Sequence, residues 1–293
     1  MGTLADRDFV KMNGLGNEIV IVDLRRSAGN IAAGIIAAGE ARAAAQQEPY
    51  DQLMVLYPGQ GAVDASVRIY NNDGSEAGAC GNGMRCVAFL VSAETGKAKL
   101  NFETSAGPVA SWRSGDGLFT VDMGVPRLRW DEIPLAKAMP DTRAIELDFG
   151  PHGVPALRAP SVVNMGNPHA IFWVDDPQSY DLRQIGPQLE HHPLFPERAN
   201  ITLAATPSRD RIVIRTWERG AGLTKACGSA ACAVAVAAAR LGRTGRKVTV
   251  TLPGGDLAIE WRESDDHVLM TGPVEYEHAG RFNAALLADA EAR

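Results

Sequence analysis

Two of the four cysteines stand in the same short phrase. The first reads Ala79-Cys80-Gly81-Asn82-Gly83-Met84-Arg85-Cys86 and runs on into the apolar Val87-Ala88-Phe89-Leu90-Val91. The second, 147 residues later, reads Ala226-Cys227-Gly228-Ser229-Ala230-Ala231-Cys232 and runs on into Ala233-Val234-Ala235-Val236. A thiol at the start of a helix lies beside backbone N–H groups without intrahelical partners and beside a partial positive charge, which favours the thiolate. Glycine next to the thiol lets an anion such as a carboxylate approach those N–H groups. Two such thiols on opposite sides of a substrate carbon supply a base on one face and an acid on the other, as inversion by proton transfer requires. The helix ends would also stabilise the charge that grows on a carboxylate as the neighbouring proton leaves. The polar, Gly-rich turns before Cys80 and Cys227 argue against burial of either in apolar packing. Cys86 and Cys232, inside the apolar runs, read as small core residues.

The phrase belongs to a longer repeat. Thr95-Gly96 answers to Thr244-Gly245, Trp112 to Trp261, Asp116 to Asp266, Gly124 to Gly272 and Gly16-Asn17 to Gly166-Asn167. One design written twice predicts two halves, residues 1–126 and 127–272, with a tail of about 273–293 able to pack back on the first half and the site in the cleft between them. Pro126 to Pro160, rich in proline and without clean periodicity, reads as the boundary.

Each half reads as strands around one long helix. In the first, a Gly-rich turn at Phe9–Asn17 leads to a strand at Ile19–Asp23. A helix at Ile31–Ala45 follows, then strands at Asp51–Leu56 and Ala65–Tyr70. After Cys80 come a helix to about Glu94 and strands at Leu100–Thr104, Val109–Trp112 and Leu118–Met123. The second half offers strands at Ser161–Met165 and Arg211–Trp217, a helix from Gly228 to about Leu241, and strands at Val248–Leu252, Leu257–Trp261 and His267–Thr271. The fold class is therefore α+β: two pseudo-repeated halves, each a curled mixed β-sheet around a long central helix.

Bulk properties narrow the function. A net charge of −6 over 293 residues, with no Lys/Arg cluster, speaks against a nucleic-acid binder. The start of the chain is not apolar enough for a signal peptide, and the longest apolar run, Ala230–Ala239, is too short to span a bilayer. Cytoplasmic, reduced thiols follow. The spacings Cys80-x5-Cys86 and Cys227-x4-Cys232 are not those of structural zinc sites. By default, Glu218-Arg219 is a surface pair, His169 a structural histidine, and Asn17, Asn71, Asn167 and Asn200 are turn formers. A non-catalytic scaffold using its thiols for zinc or redox sensing stays open on the residues alone.

Taken together, several motifs carry a family resemblance. They are Phe9-x-Lys11-Met12-x-Gly14-x-Gly16-Asn17; Asn71-x-Asp73-Gly74-Ser75-Glu76-x3-Cys80-Gly81-Asn82-Gly83-x-Arg85-Cys86; Gly166-Asn167-Pro168-His169; and Glu218-Arg219-Gly220-Ala221-Gly222-x-Thr224-x-Ala226-Cys227-Gly228. In this order the chain resembles the diaminopimelate epimerases, which are similar in fold to proline racemases. The resemblance implies cofactor-independent interconversion of LL- and meso-2,6-diaminoheptanedioate, on the route to lysine and peptidoglycan, by a homodimer without a metal. It implies that Cys227 takes and Cys80 gives the proton in the LL-to-meso direction. The N–H groups of Gly81, Asn82, Gly228 and Ser229 would hold the carboxylate at the reacting centre. Arg219, Asn71, Asn167 and Asn200 would bind the distal carboxylate, Glu218 the distal ammonium, and Asn17 and Gln52 would complete the pocket. His169 and Glu218 would tune the two thiols. The chain departs from the family pattern at Glu18-Ile19, Asn72 and Ala230, none of which removes a group named above. A proline-racemase-type enzyme would need no distal carboxylate site, against which Arg219 and three asparagines argue. An isomerase of the phenazine-biosynthesis type lacks the matched cysteines.

Overall fold

The computed structural model describes residues 3–27, 36–150 and 157–284. The chain forms two compact units, Met1–Val121 with Gly272–Arg293, and Asp122–Thr271.

The first unit contains β1 (Asp8–Asn13), β2 (Glu18–Asp23), α1 (Ala38–Gln47), β3 (Gln52–Pro58), β4 (Ala65–Asn71), β5 (Glu76–Ala77), α2 (Gly81–Thr95), β6 (Lys99–Thr104), β7 (Gly107–Gly115) and β8 (Leu118–Asp122). The second contains β9 (Asp148–Phe149), β10 (Leu157–Arg158), β11 (Ser161–Asn164), β12 (Pro168–Trp173), α3 (Leu182–Glu190), β13 (Asn200–Ser208), β14 (Arg211–Glu218), β15 (Gly222–Leu223), α4 (Gly228–Arg240), β16 (Lys247–Leu252), β17 (Gly255–Trp261) and β18 (Val268–Pro273). The chain then adds β19 (Glu275–Arg281), antiparallel to β1.

The repeat is visible in the pairing of strands. In the first unit β1–β2 is antiparallel, β2–β3 parallel, β3–β4 antiparallel, β4–β6 parallel, and β6–β7 and β7–β8 antiparallel. The second unit repeats the same senses in the same order through β11, β12, β13, β14, β16, β17 and β18. The pairing within each unit is thus mixed, and each parallel step is bridged by a connection that carries a helix: α1 and α3 for the first step, α2 and α4 for the second.

α2 and α4 are the central helices. α2 packs on β2, β3, β6 and β7, and α4 on β11, β12, β13, β14, β16 and β17. Every residue of α4 from Ala230 to Ala238 is buried. Its alanines let the surrounding strands approach closely, while Val234 and Val236 supply bulk, each buried side chain worth about 1.5–3 kcal/mol. The helix at Ile31–Ala45 begins at Ala38 instead, and residues 31–35 of that reading lie outside the described residues. β1, which takes up the first part of the turn read at Phe9–Asn17, and β12, β13, β19, α3 and the two-residue strands β5, β9, β10 and β15 are additional to the elements read from the sequence.

Candidate active site

Cys80 and Cys227 occupy the same station in their units. Cys80 is the N-cap of α2 and Cys227 the N-cap of α4, both in extended backbone conformation. Gly81-Asn82 and Gly228-Ser229 therefore open the two helices and carry N–H groups that lack intrahelical acceptors. A carboxylate at either end would meet aligned donors and the positive end of the helix dipole.

Around Cys80, the first unit gathers Asn17, Gln52, Asn71 and Asn82. The half-buried thiol lies 3.8 Å from Asn17 Oδ1 and 3.6 Å from Gln52 Oε1, and its sulfur accepts from the Gly83 N–H at 3.3 Å. Asn17 Nδ2 donates to Gln52 Oε1 at 3.0 Å, and Gln52 Nε2 donates to Asn71 Oδ1 at 3.4 Å. Asn71 Nδ2 donates to Ser75 Oγ, which donates to Asp73 at 2.6 Å. The Ser75 hydroxyl first, and then its N–H, hold the Asp73 carboxyl below the usual carboxylate range. Asn82 Nδ2 reaches Asn17 Oδ1 at 3.5 Å, while Arg85 Nη1 donates to Asn82 Oδ1 at 3.0 Å.

Cys227 sits in different surroundings. It is 4% exposed, against the expectation that its polar turn keeps it out of apolar packing. The expected fall of its pKa is also reversed. Burial pushes the thiol well above its ordinary value, the Glu218 carboxylate adds to the rise, and Ser229 Oγ and the Ala230 N–H only partly oppose it. Loss of solvation outweighs the helix end here, and the negative neighbour adds to it. The thiol forms a hydrogen bond with Glu218, which also accepts from Thr224 Oγ1. Cys227 is therefore held as a thiol beside the Glu218 carboxylate. Cys86 and Cys232 are wholly buried, and burial raises Cys86 to about 12, in keeping with a core role.

The second unit also holds Asn167, His169, Asn200 and Arg219. His169 is fully buried, and burial, with Arg219 adding to it, lowers its pKa to about 3. It is a neutral imidazole at pH 7, not a cation beside a thiol. Its Nε2 lies 2.8 Å from Asn167 Oδ1, which places the proton there and leaves the Nδ1 lone pair as the remaining polar group. Asn200 Oδ1 accepts from the Arg219 N–H at 2.9 Å, and its Nδ2 donates to Pro168 O at 3.0 Å. The visible work of Asn200 is to set the turn that carries Arg219.

Two residues absent from the sequence reading shape these surroundings. Glu190, at the end of α3 and 3% exposed, accepts from Gly220 N, Trp217 Nε1 and Arg198 Nη1 at 3.0, 2.7 and 3.2 Å. It pins the Glu218–Gly220 turn from beneath, and a lone glutamate in an unrecognised helix gives no sequence signal. Asp51 Oδ2 accepts from Asn17 Nδ2 at 2.9 Å and from Glu18 N at 2.8 Å. Among the described residues, no group of three or more His, Cys, Asp or Glu is placed to hold a metal ion.

A family model described as diaminopimelate epimerase matches residues 9–129 and 161–277. The chain belongs to the diaminopimelate epimerase family. It is 62% identical over 291 residues to the diaminopimelate epimerase of Rhodopseudomonas palustris, covering 99% of each chain. To that of Nitrobacter hamburgensis it is 63% identical over 292 residues, covering 98% of this chain and 99% of the other. Among solved structures, the fold is shared with a hydroxyproline epimerase of Agrobacterium vitis (TM-score 0.66, 14% identity, covering 96% of this chain and 93% of that one). It is shared too with a predicted epimerase of Pseudomonas aeruginosa (TM-score 0.64, 19% identity, covering 94% and 99%). No described helix is long and apolar enough to cross a membrane.

Proposed function

We propose that the chain epimerises LL-2,6-diaminoheptanedioate to the meso form by proton transfer between two thiols, Cys227 taking and Cys80 giving the proton, with no cofactor. The epimerase activity follows from membership of the family. The mechanism rests on one observation above all: each thiol caps a central helix at the equivalent place in its unit, with glycine next. A substrate carboxylate seated on the helix-end N–H groups of Gly81, Asn82, Gly228 and Ser229 gains stabilisation as charge develops on it. The mechanism requires the two thiols to address opposite faces of one carbon.

The two thiols meet different surroundings. Cys80 meets two amide oxygens, which favour the proton-bearing form of a donor. Cys227 meets Glu218, whose charge together with burial favours the thiol, so Cys227 must pass its proton to Glu218 before it can act as base. A neutral His169 tunes a thiol only by accepting a hydrogen bond through Nδ1. Arg219, with Asn71, Asn167 and Asn200, is assigned the distal carboxylate, and Glu218 a share in the distal ammonium. Asn17 and Gln52 complete the pocket. The enzyme works as a cytoplasmic homodimer on this small-molecule substrate, as the family resemblance implies.

Arg219 tests the substrate assignment. A guanidinium grips a planar carboxylate through two charge-assisted hydrogen bonds, which lysine does not reproduce. Arg219→Lys should weaken turnover of diaminopimelate by about 1.5–3 kcal/mol. Lysine and proline, which lack the second carboxylate, should be very poor substrates of the purified protein. Proline or lysine racemised as well as diaminopimelate would overturn the assignment.

A further inference from the structure

The amides around Cys80 have a fixed polarity, and charged groups at both ends fix it. Asp51 only accepts, so Asn17 must turn its Nδ2 toward it, at 2.9 Å. Arg85 only donates, so Asn82 must turn its oxygen toward the guanidinium and its Nδ2 toward Asn17 Oδ1, at 3.0 and 3.5 Å. Asn17 is thereby oriented from both sides, with the carboxylate contact the shorter of the two. Its oxygen, not its NH2, faces the Cys80 sulfur. Asp51 is itself held, since its N–H donates to Glu18 O and its Oδ2 accepts from Glu18 N, both at 2.8 Å. The second oxygen at the sulfur, Gln52 Oε1, accepts from the same Asn17 Nδ2 at 3.0 Å, and its amide is also oriented by the run through Asn71 and Ser75 to Asp73.

We propose that Asp51 is a positioning residue for Cys80, turning the Asn17 amide so that its oxygen faces the sulfur and keeps Cys80 in the proton-bearing form that a donor needs. An amide turned the other way would present N–H to the sulfur and favour the thiolate, the wrong starting state for the residue that gives the proton. Asp51 touches no reacting atom and acts through Asn17. The ionisable groups near the thiol in its unit include Asp51, Asp73 and, on α2, Arg85 and Cys86. The proposal rests on the two-thiol reading for its functional meaning, but its physical content, the state of the Cys80 thiol, is measurable without turnover.

The test is alkylation of the native, substrate-free protein by iodoacetamide across pH, with the Cys80 peptide followed by mass spectrometry. In Asp51→Ala the acceptor is gone, and the Cys80 curve should move to lower pH by about one unit, the scale of one hydrogen bond to a titrating group. Turnover should fall about tenfold or more. In Asp51→Asn a side-chain oxygen can still accept from Asn17 and Glu18, so both readouts should lie much closer to wild type. Circular dichroism shows whether each variant is folded. If Asp51→Ala is folded and its Cys80 curve is unmoved, or if Asp51→Asn moves it as far as Asp51→Ala does, the proposal is wrong. Turnover by Cys80→Ala would instead sink the two-thiol reading, while the alkylation curves would still decide what Asp51 does to the thiol.

Discussion

At the level of single residues, the two thiols differ more than their matching phrases suggest. Cys80 and Cys227 share a helix cap and a following glycine, yet one lies among amide oxygens and the other beside a carboxylate. The Cys-Gly phrase made the position legible. It did not reveal the depth of Cys227 or the effect of Glu218, because burial depends on strands far away in the chain. Replacing either Cys80 or Cys227 by alanine should reduce epimerisation by at least about 10²–10⁴-fold, the usual worth of a proton carrier. Cys86→Ala and Cys232→Ala should cost stability and leave the chemistry intact. A folded Cys86→Ala protein as inactive as Cys80→Ala would break the assignment. His169 gives a pH signature. Its folded pKa, about 3, lies below the unfolded value of about 6.5, so between those values the unfolded chain binds the extra proton. The stability it contributes is complete above the unfolded pKa and is lost as pH falls toward the folded one, at up to about 1.4 kcal/mol per pH unit. Denaturant unfolding at a series of acidic pH values should show a shallower loss for His169→Gln than for wild type.

Among the elements, the two central helices and most strands could be read from apolar runs and β-branched content, whereas α3 and β13 could not. α3 carries Gly186 and Pro187, which ordinarily argue against a helix. It forms because the Asp181 side chain accepts from Arg183 N and because Gly186 admits the Trp217 ring, which a Cβ would meet at 2.5 Å. β13 includes Pro207 and two alanines, so it lacks a strong strand signature. The third residues of α2 and α4 show how one design tolerates different neighbours. A Cβ on Gly83 would stand 2.7 Å from Met54 Sδ and 3.3 Å from the Cys80 sulfur, while the other helix carries Ala230 there, fully buried. Gly83→Ala should therefore destabilise by about 1–3 kcal/mol, the cost of overpacking, and disturb Cys80 as well. Adding Met54→Ala should relieve the clash. A Gly83→Ala protein with unchanged thermal midpoint and turnover would contradict this reading of the packing.

The whole molecule is a repeat that closes on itself in sequence. The sequence offers halves 1–126 and 127–272 with a tail able to return to the first, and the compact units are Met1–Val121 with Gly272–Arg293 and Asp122–Thr271. The return of β19 to β1 is a long-range pairing, sealed by Phe9 and Phe282 with ring centroids 4.7 Å apart and by Gly280, whose Cβ would strike the Phe9 ring. Truncation after Pro273 should strip β1 of this partner, expose Phe9 and leave little folded protein by circular dichroism. If the two thiols address one carbon from opposite faces, oxidation with diamide should join Cys80 and Cys227 in a disulfide, with loss of activity that reductant restores. The central claim is the two-thiol transfer, and the most direct measurement follows the proton itself. LL-diaminopimelate is incubated with the protein in D2O, and product and unreacted substrate are separated at low conversion and analysed for deuterium. The account predicts one deuterium at the inverted carbon of the meso product, protium retained in the unreacted substrate, and no product from Cys80→Ala or Cys227→Ala. Meso product that keeps its original protium, or epimerisation by either single variant at the wild-type rate, would contradict it.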